Sequence, residues 1–419
     1  MSIQKPKGTY DILPDEARKR QFIFREIRII LDRYNYSEIL TPAFEKTELF
    51  VRGIGEETDI VSKEMYTFNE GEFTLRPEMT APVIRSYLEN SLYNESPLKK
   101  LYYICNMFRR ERPQKGRYRE FWQFGVEAIG SSDFLMDAEI IAISMEILKH
   151  FGIKNLVTKV NTIGSVKERA NFLAKLQEYM NKYKSELSLD SQRRLEKNPL
   201  RLLDTKNEKE IEILQEAPIL YDYLEQETKD NFKKLLLSLD SLKIRYEVDH
   251  SLVRGFDYYT ATTFEVLSDS LGAQNAILGG GRYDLLVEQL GGKPTPAIGF
   301  ACGIERLMMM MDSEADGGYI YPDENRLMLY IATYGDEAKE KAIGILQQLR
   351  DKGYKCDTDF LSRSIKSQMK EANRLNAEYV IVLGENELKE NKAIIKRMAD
   401  GAEANIGLST EEIINNLNT

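Results

Sequence analysis

The chain contains 419 residues, of which 42% are hydrophobic, and its formal net charge is −9. This length predicts two or three domains with sizeable cores. No apolar run reaches the roughly 18 residues that a membrane-spanning helix needs, and the N-terminal residues lack the apolar core of a signal peptide, so we expect no membrane association and a cytoplasmic location. The three cysteines are far apart and the two histidines have no partner at metal-ligand spacing, which argues against a disulfide framework, a protein-held structural metal and histidine catalysis.

The N-terminal part of the chain predicts a helix followed by a short strand. Apolar residues recur at helical spacing over residues 15–34, and residues 37–42 form an extended segment that a proline ends. A second extended segment, over residues 73–80, leads into another predicted helix. Glu78 and Thr80 lie at this junction, where an acid can hold an ammonium group, although capping of the helix would explain both residues equally well.

Residues 101–130 predict a β-hairpin with a long cationic tip. Aromatic and β-branched residues fill both ends of this stretch, and such residues suit a half-buried strand. A cationic tip can bind phosphate, although it can also be an ordinary solvated surface. The cations between the two strands are Arg109, Arg110, Arg112, Lys115, Arg117 and Arg119.

The second strand of this hairpin has one polar and one apolar face. Side chains alternate along a strand, so Gln123, Gly125 and Glu127 share the polar face. Trp122 belongs to the opposite face, which we expect to be core. A glycine between a carboxamide and a carboxylate leaves room for a small ligand, and the carboxylate can bind a cationic or NH-donating group.

The middle of the chain predicts an inserted helical module. A strand is expected over residues 155–164, after a helix over residues 133–149. From residue 166 to about residue 244 the chain is highly charged, poor in glycine, and apolar at helical spacing. Strand signals resume on both sides, so the module interrupts a domain.

Residues 252–266 contain a second group of candidate site residues. Arg254 precedes a glycine, and Tyr258 and Tyr259 follow. On a strand, adjacent tyrosines face opposite sides, so we expect one to offer its hydroxyl to a ligand while the other packs. The alternative is an ordinary β-turn without a ligand.

Two glycine-rich segments follow. Residues 278–285 contain three consecutive glycines, a pattern that often marks close approach of a ligand or another backbone. Neither a P-loop nor a dinucleotide-binding fingerprint is present. Residues 294–307 predict strand, glycine and helix, with Arg306 in the first helical turn, where an arginine and a helix N-terminus together can bind an anion. The alternative is a surface arginine on an ordinary helix.

The C-terminal part predicts a small α/β domain with a mixed sheet. An acidic, glycine-containing stretch over residues 312–325 predicts a linker, and strand and helix signals alternate beyond it. A basic stripe at helical spacing can bind RNA phosphates, or it can be a solvated face. Its members are Arg363, Lys366, Lys370 and Arg374.

Four segments, in order along the chain, resemble the histidyl-tRNA synthetases, a class II aminoacyl-tRNA synthetase family. They read FRRERPQKGRYREFWQFGVE, LVRGFDYYTATTFEV, PTPAIGFACGIERL and SRSIKSQMKEANRLNAEYVIVLGENEL. The resemblance implies an α+β fold: a class II catalytic domain over residues 1–322, with an antiparallel sheet and a helical insertion at about 166–244, and a C-terminal α/β anticodon-binding domain over residues 326–419. The N-terminal helix, strand and proline resemble class II motif 1, which implies a homodimer.

The resemblance also implies an activity and a set of site residues. The activity is that of a histidine–tRNA ligase, which forms histidyl-adenylate from L-histidine and ATP, with Mg²⁺ accompanying ATP, and transfers histidine to the 3′ end of histidine tRNA. The implied catalytic residues are Arg254, Arg109 and Arg306. The implied histidine-binding residues are Glu78, Met79, Thr80, Arg109, Gln123, Glu127, Arg254, Tyr258 and Tyr259. The implied ATP-binding residues are Arg109, Glu111, Arg117 and Arg306, and the implied tRNA-binding residues are Arg112, Gln114, Arg363, Lys366, Lys370 and Arg374.

Two departures from the family pattern and two alternative functions have to be weighed against this interpretation. Met79 stands where bacterial members often have glycine, and Trp122 where many have histidine or tyrosine. One rival is the histidine-binding regulatory paralogue that activates ATP phosphoribosyltransferase, but it usually lacks the C-terminal domain and has degraded ATP motifs. The other is a class II synthetase for glycine, threonine or proline, which the string RGFDYY argues against. Polar contacts to both imidazole nitrogens would give enough selectivity that we expect no editing site.

Overall fold

The structure is a computed structural model that describes residues 3–55, 58–113, 116–268, 276–313, 318–322 and 326–417. It divides into two units, Met1–Ile320 and Tyr321–Thr419, and each is described by itself. Within the described residues, no helix combines the length and the apolar character that crossing a bilayer requires.

The first unit is organised around a large sheet. Its strands are β1 (Ser37–Glu38), β2 (Phe44–Lys46), β3 (Tyr66–Phe68), β4 (Phe73–Leu75), β5 (Lys99–Phe108), β6 (Glu120–Ile129), β7 (Leu156–Thr162), β8 (Tyr246–Val248), β9 (Thr260–Ser268), β10 (Ala276–Arg282) and β11 (Ala297–Gly303). Eight of them form one sheet in the order β1–β5–β6–β11–β10–β9–β7–β8, and β2, β4 and β3 form a small second sheet.

The interior of the large sheet is antiparallel, as predicted. The hairpin of β5 and β6 is present, and β6 pairs with β11, which brings Gly299 opposite Glu127. β11 then pairs with β10, β10 with β9 and β9 with β7, all antiparallel. Only the edge strands of this sheet, β1 and β8, are parallel to their neighbours. The glycine-rich strand β11 therefore lies beside β6 in the sheet, and the glycine-rich strand β10 lies on the other side of β11.

Ten α-helices of this unit lie within the described residues. They are α1 (Pro14–Arg33), α2 (Thr47–Ile54), α3 (Thr80–Glu89), α4 (Phe134–His150), α5 (Val166–Asn181), α6 (Leu189–Lys197), α7 (Glu208–Gln215), α8 (Gln226–Ser241), α9 (Leu286–Gln289) and α10 (Ile304–Ser313). α1 matches the helix predicted over residues 15–34, and α4 packs against β9, β10 and β11.

The predicted helical insertion is present between β7 and β8. It consists of α5 to α8 and short 3₁₀ turns, one of which covers Pro199–Asp204. Its buried side chains, such as Phe172 and Leu202, belong to the same apolar cluster as Tyr258 and Tyr283. The insertion therefore shares a core with the part of the sheet that carries the candidate site.

Two stretches differ from what strand patterns in the sequence indicate. For residues 252–266 the sequence left a strand and a β-turn as alternatives; bends and turns cover residues 255–258, and the strand begins only at Thr260. The small sheet of β2, β3 and β4 was largely not predicted, since strands of three residues in a charged segment give almost no periodic signal.

The second unit is a mixed α/β layer, as predicted. Its elements are β12 (Leu327–Thr333), α11 (Asp336–Asp351), β13 (Cys356–Thr358), α12 (Ile365–Arg374), β14 (Ala377–Leu383), α13 (Glu385–Glu390), β15 (Lys392–Arg397), β16 (Glu403–Gly407) and α14 (Thr410–Leu417). The sheet order is β13–β12–β14–β15–β16, with parallel pairing on one side of β14 and antiparallel pairing on the other. β15 was not predicted, because its short apolar alternation is framed by lysines and arginine.

Candidate active site

Two adjoining cavities open beside the polar face of β6. The inner cavity has a volume of about 360 Å³ and is lined by Glu78, Thr80 and Tyr259, among others. The outer cavity has a volume of about 410 Å³ and is lined by cations and carboxylates that include Arg306. The two cavities share lining residues, namely Arg109, Gln123, Arg254, Gly279 and Ala301. The cationic side chains therefore face both spaces at once.

Glu78 both caps α3 and lines the inner cavity. Its side chain is only 4% exposed, and its two carboxylate oxygens accept hydrogen bonds from the backbone N–H groups of Thr80, at 2.7 Å, and Ala81, at 3.0 Å. Burial raises the pKa of Glu78, although these hydrogen bonds and nearby Arg109 oppose the rise. Each carboxylate oxygen has a second lone pair, so the group can still accept from an ammonium group. The two alternatives derived from the sequence are therefore compatible.

Glu127 lies directly behind the wall of the inner cavity. It is 1% exposed and accepts hydrogen bonds from the hydroxyl groups of Thr80, at 2.9 Å, and Tyr283. Burial raises the pKa of Glu127 to about 8, although the two hydroxyl hydrogen bonds lower it. Gly299 faces this carboxylate across the sheet, and a Cβ atom there would overlap it. The glycine thus makes the space in which the carboxylate lies.

Tyr283 is a site residue that sequence analysis missed. It directly follows β10, is 1% exposed, lines the inner cavity and donates its hydroxyl hydrogen bond to Glu127. The three glycines before it predict a close approach of the backbone, and that prediction did not extend to the tyrosine that follows them. A phenol at the end of a glycine-rich strand was the signal that could have identified it.

Tyr258 and Tyr259 do not face opposite sides, which corrects the expectation from the sequence. Both line the inner cavity, and their ring centroids lie 4.7 Å apart. The alternation rule fails here because both residues precede β9, which begins at Thr260. Burial raises the pKa of both phenols, so both hydroxyl groups keep their protons at neutral pH.

Arg254 lies where the two cavities meet. Its guanidinium group pairs with Glu265 and lies over the ring of Tyr259, with Cζ 5.9 Å from the centroid. Its Nε atom is buried and has no hydrogen-bond partner within the described part of the chain. A Cβ atom on Gly279 would overlap the guanidinium group, so the glycine in β10 leaves the space that this arginine fills. A partly buried cation with a spare buried donor is well suited to an anionic ligand.

Three more of the predicted cations, Arg109, Arg117 and Arg306, line the outer cavity. Arg109 donates from Nε to the carbonyl oxygen of Pro77 at 2.8 Å, and its guanidinium group remains at the boundary of both cavities. Arg306 lies in the first turn of α10, as predicted, and burial together with nearby Arg117 lowers its pKa. Arg117 lies 3.5 Å from Glu111. Since the cations repel one another there, a polyanion entering the cavity would be stabilised.

Four further predicted residues have different outcomes. Met79 lines the inner cavity, is buried, and has an ordinary backbone conformation, with φ of −121°, that does not call for glycine. Trp122 stacks on Phe24 of α1, with ring centroids 5.2 Å apart, and lines neither cavity. Arg112 is exposed and lines neither cavity, and Gln114 lies outside the described residues.

Sequence analysis also missed three residues of the insertion that line the inner cavity. They are Arg194, Arg201 and Asp204. Two of them belong to the 3₁₀ turn Pro199–Asp204, whose sequence PLRLLD places charges among apolar residues. That mixture was a usable signal, because a charge in an apolar segment often faces a specific partner.

The basic stripe of the second unit is only partly free. Lys366 and Lys370 are exposed on α12. Arg363 precedes the helix and pairs with Asp359 and Glu371, and Arg374 also pairs with Glu371. The expectation that all four share one helix face is therefore wrong for Arg363, and among the described residues the two lysines are the members of the stripe that form no ion pair.

Comparisons with known proteins identify the family to which both units are similar. A family model described as histidyl-tRNA synthetase matches residues 8–307, and one described as anticodon binding domain matches residues 328–419. A histidine–tRNA ligase from Geobacillus sp. (strain WCH70) is 47% identical over 97% of each chain, and one from Halothermothrix orenii is 46% identical over 98% of each. The crystal structure of apo S. aureus histidyl-tRNA synthetase superposes with a TM-score of 0.84 at 38% identity and covers 100% of both chains.

One further solved structure shares the fold. An ATP phosphoribosyltransferase regulatory subunit/histidyl-tRNA synthetase from Bacillus halodurans has a TM-score of 0.65 at 23% identity, covering 91% of this chain and 98% of that one. At this identity the likeness shows a shared fold alone.

Proposed function

Since the chain belongs to the histidyl-tRNA synthetase family, we propose that its inner cavity binds L-histidine and its outer cavity binds ATP. As a histidine–tRNA ligase, the enzyme activates L-histidine to histidyl-adenylate and transfers histidine to the 3′ end of histidine tRNA. The observation that carries the assignment of the cavities is that Arg254 and Arg109 line both of them.

The shared arginines explain how the first step proceeds. The carboxylate of histidine attacks the α-phosphorus of ATP, and pyrophosphate leaves. Both reactants are anionic, so they repel each other unless cations lie between them. Arg254 and Arg109 supply those cations at the boundary of the cavities, and their fixed positions hold the attacking oxygen in line. Arg254 and Arg109, with Arg306, are the proposed catalytic residues.

The inner cavity offers different groups to the two ends of histidine. Glu78, Thr80 and Gln123 would hold the α-ammonium group, since the Glu78 carboxylate keeps lone pairs free beside the helix cap. Glu127 and Tyr259 would bind the imidazole nitrogens, with Met79 and Tyr258 lining the cavity. A buried carboxylate and phenols provide matched partners for a ring that carries both a donor and an acceptor, which rejects amino acids without that pattern.

The outer cavity would hold the phosphates of ATP. Arg117 would contact the outer phosphates, while Arg306 and Arg109 would neutralise charge at the reacting phosphate; Glu111 lies beside Arg117. Mg²⁺ enters as part of the ATP substrate, where it neutralises phosphate charge.

Recognition of tRNA is assigned to two other surfaces. Arg112 and Gln114 on the hairpin tip would contact the extra 5′ guanosine of histidine tRNA. The second unit would bind the anticodon, with Lys366 and Lys370 as the exposed cations and Arg363 and Arg374 beside them. We propose domain limits of 1–322 and 326–419, with the insertion at about 166–244, a homodimer and a cytoplasmic location; the division of the chain at Ile320 supports the first of these limits.

ATP–pyrophosphate exchange with each of the twenty amino acids tests this function. Exchange with histidine only, followed by charging of histidine tRNA, is the expected result. Absence of exchange together with histidine binding would favour the regulatory paralogue. Exchange with glycine, threonine or proline instead would place the chain in another class II specificity.

A further inference from the structure

The loop between Arg254 and Tyr259 carries inner-cavity residues at both ends, but little regular structure holds it. Its residues precede β9 and form turns. On one side it is fixed to the end of α2, because the Asp257 backbone N–H donates to the carbonyl oxygen of Ile54 at 3.1 Å. Gly55 allows this approach, since a Cβ atom there would overlap the Asp257 carboxylate. The other side of the loop faces the helical insertion.

The insertion contacts this side of the loop mainly through hydrogen bonds to one carboxylate oxygen. Arg201 directs Nε and Nη2 to Oδ1 of Asp257, at 3.2 and 3.0 Å, and Asn198 donates to the same oxygen at 2.9 Å. Nη2 of Arg201 also donates to the carbonyl oxygen of Gly255 at 2.7 Å. One guanidinium group therefore ties two points of the loop together, which a planar fork of donors can do and a single ammonium group cannot.

A second arginine of the insertion holds the far end of the loop. Arg169 of α5 is buried and donates from Nη1 to the carbonyl oxygen of Tyr259 at 3.3 Å. The Arg201 side chain is itself only 14% exposed and lies on the wall of the inner cavity. The contacts from Arg201 and Arg169 thus hold the loop at points between and next to Arg254 and Tyr259, its two proposed substrate-binding residues.

We propose that Arg201 is a positioning residue for histidine activation. Through Asp257 and the Gly255 carbonyl it fixes the loop that presents Arg254 and Tyr259, so the insertion is needed for the first step of the reaction. This inference rests on the proposed binding of histidine in the inner cavity. It assigns to the insertion a role that operates when no tRNA is present.

Exchange kinetics without tRNA test the proposal. In Arg201→Met, which keeps the aliphatic stem but loses the fork, the KM for histidine should rise by about tenfold or more, since charge-assisted hydrogen bonds are lost, while the KM for ATP changes little. Arg201→Lys should recover only part of the loss. The matched control is Arg193→Met in the same insertion, because Arg193 is 66% exposed and pairs only with Asp190 among the described residues.

Two additional measurements separate positioning from folding. Titration calorimetry with L-histidine alone should show weaker binding in Arg201→Met at an unchanged melting temperature. A double-mutant cycle with Asp257→Asn should show that the two losses are not additive, as expected for partners in one contact.

Three results would overturn the proposal. One is a normal KM for histidine in exchange, which would show that the contacts of Arg201 do not position the loop for histidine activation. The second is a rise in the KM for ATP as large as the rise in the KM for histidine. The third is a lowered melting temperature that accounts for the whole loss of activity. Either of these two results would make Arg201 a general structural residue. This test and the test of the proposed function can be told apart with the unmutated enzyme. If the proposed function is wrong, the unmutated enzyme itself shows no histidine-dependent exchange.

Discussion

The hydroxyl group of Tyr283 donates a hydrogen bond to the carboxylate of Glu127, and each of these side chains is 1% exposed. The two residues come from different parts of the sheet, since Glu127 lies in β6 and Tyr283 follows β10. The phenol lines the inner cavity, while the carboxylate lies behind the wall of that cavity. Tyr283 is thus placed to orient Glu127, the residue proposed to bind the imidazole of histidine.

Replacing Tyr283 with phenylalanine should weaken histidine binding selectively. The variant keeps the ring and its packing but leaves a buried carboxylate without one donor, so the KM for histidine in exchange should rise by about tenfold, with the KM for ATP nearly unchanged. Tyr87→Phe is the matched control, because Tyr87 is 3% exposed and lines neither cavity. An unchanged KM for histidine in Tyr283→Phe would show that Glu127 needs no orientation by this phenol.

Glu127 should make the stability of the enzyme depend on pH. Burial raises its pKa from 4.5 to about 8, so between these values the folded state holds a proton that the unfolded state has lost. The contribution of this group to the free energy of unfolding is therefore fully present below pH 4.5 and is lost as the pH rises through 8. In Glu127→Gln no proton can be lost, so the free energy of unfolding of the parent, relative to this variant, should fall as the pH rises from 5 to 9.

Denaturant unfolding at several pH values measures that difference. Subtracting the variant removes the contribution of the other titrating groups. A flat difference for Glu127→Gln would mean that the carboxyl group is ionised in the folded enzyme at neutral pH.

The parts of the site that depend on local periodicity could be predicted from the sequence. Strand alternation placed Gln123 and Glu127 on one face of β6, and the pairing of β6 with β11 keeps that arrangement. Arg306 was predicted in the first turn of a helix because a strand and a glycine precede it, and α10 begins at Ile304. Such patterns need only the geometry of one element.

The parts that depend on long-range contacts could not be predicted. Glu127 and Tyr283 are 156 residues apart, and Arg201 and Asp257 are 56 residues apart. Nothing local to either member of these pairs specifies the register that brings it to its partner. The orientation of Tyr258 was also mispredicted, because tertiary contacts of the loop, rather than strand alternation, decide where its ring lies.

Placing an alanine at Gly279 should displace Arg254 without unfolding the enzyme. The nearest atoms to the added Cβ all belong to the Arg254 guanidinium group, which can move because it ends a flexible side chain. Exchange activity should therefore approach that of Arg254→Ala, a loss of several orders of magnitude, while the melting temperature changes little. Gly344→Ala in α11 is the matched control, since a Cβ atom there meets nothing within 4 Å and alanine favours a helix. Normal exchange in Gly279→Ala would argue that the position of Arg254 is not critical.

Removing the two exposed lysines of α12 should affect tRNA rather than amino-acid activation. In the double variant Lys366→Ala, Lys370→Ala, the KM for histidine tRNA should rise and the dependence of tRNA binding on salt should become shallower by about one unit of slope per lysine, because fewer phosphate counterions are released. A double change of Lys341 and Lys352 to alanine removes the same charge from exposed positions around α11. If both double variants lose the same affinity for tRNA, only the overall charge of the unit matters. A loss of affinity confined to the α12 variant would localise the contact with RNA to this helix.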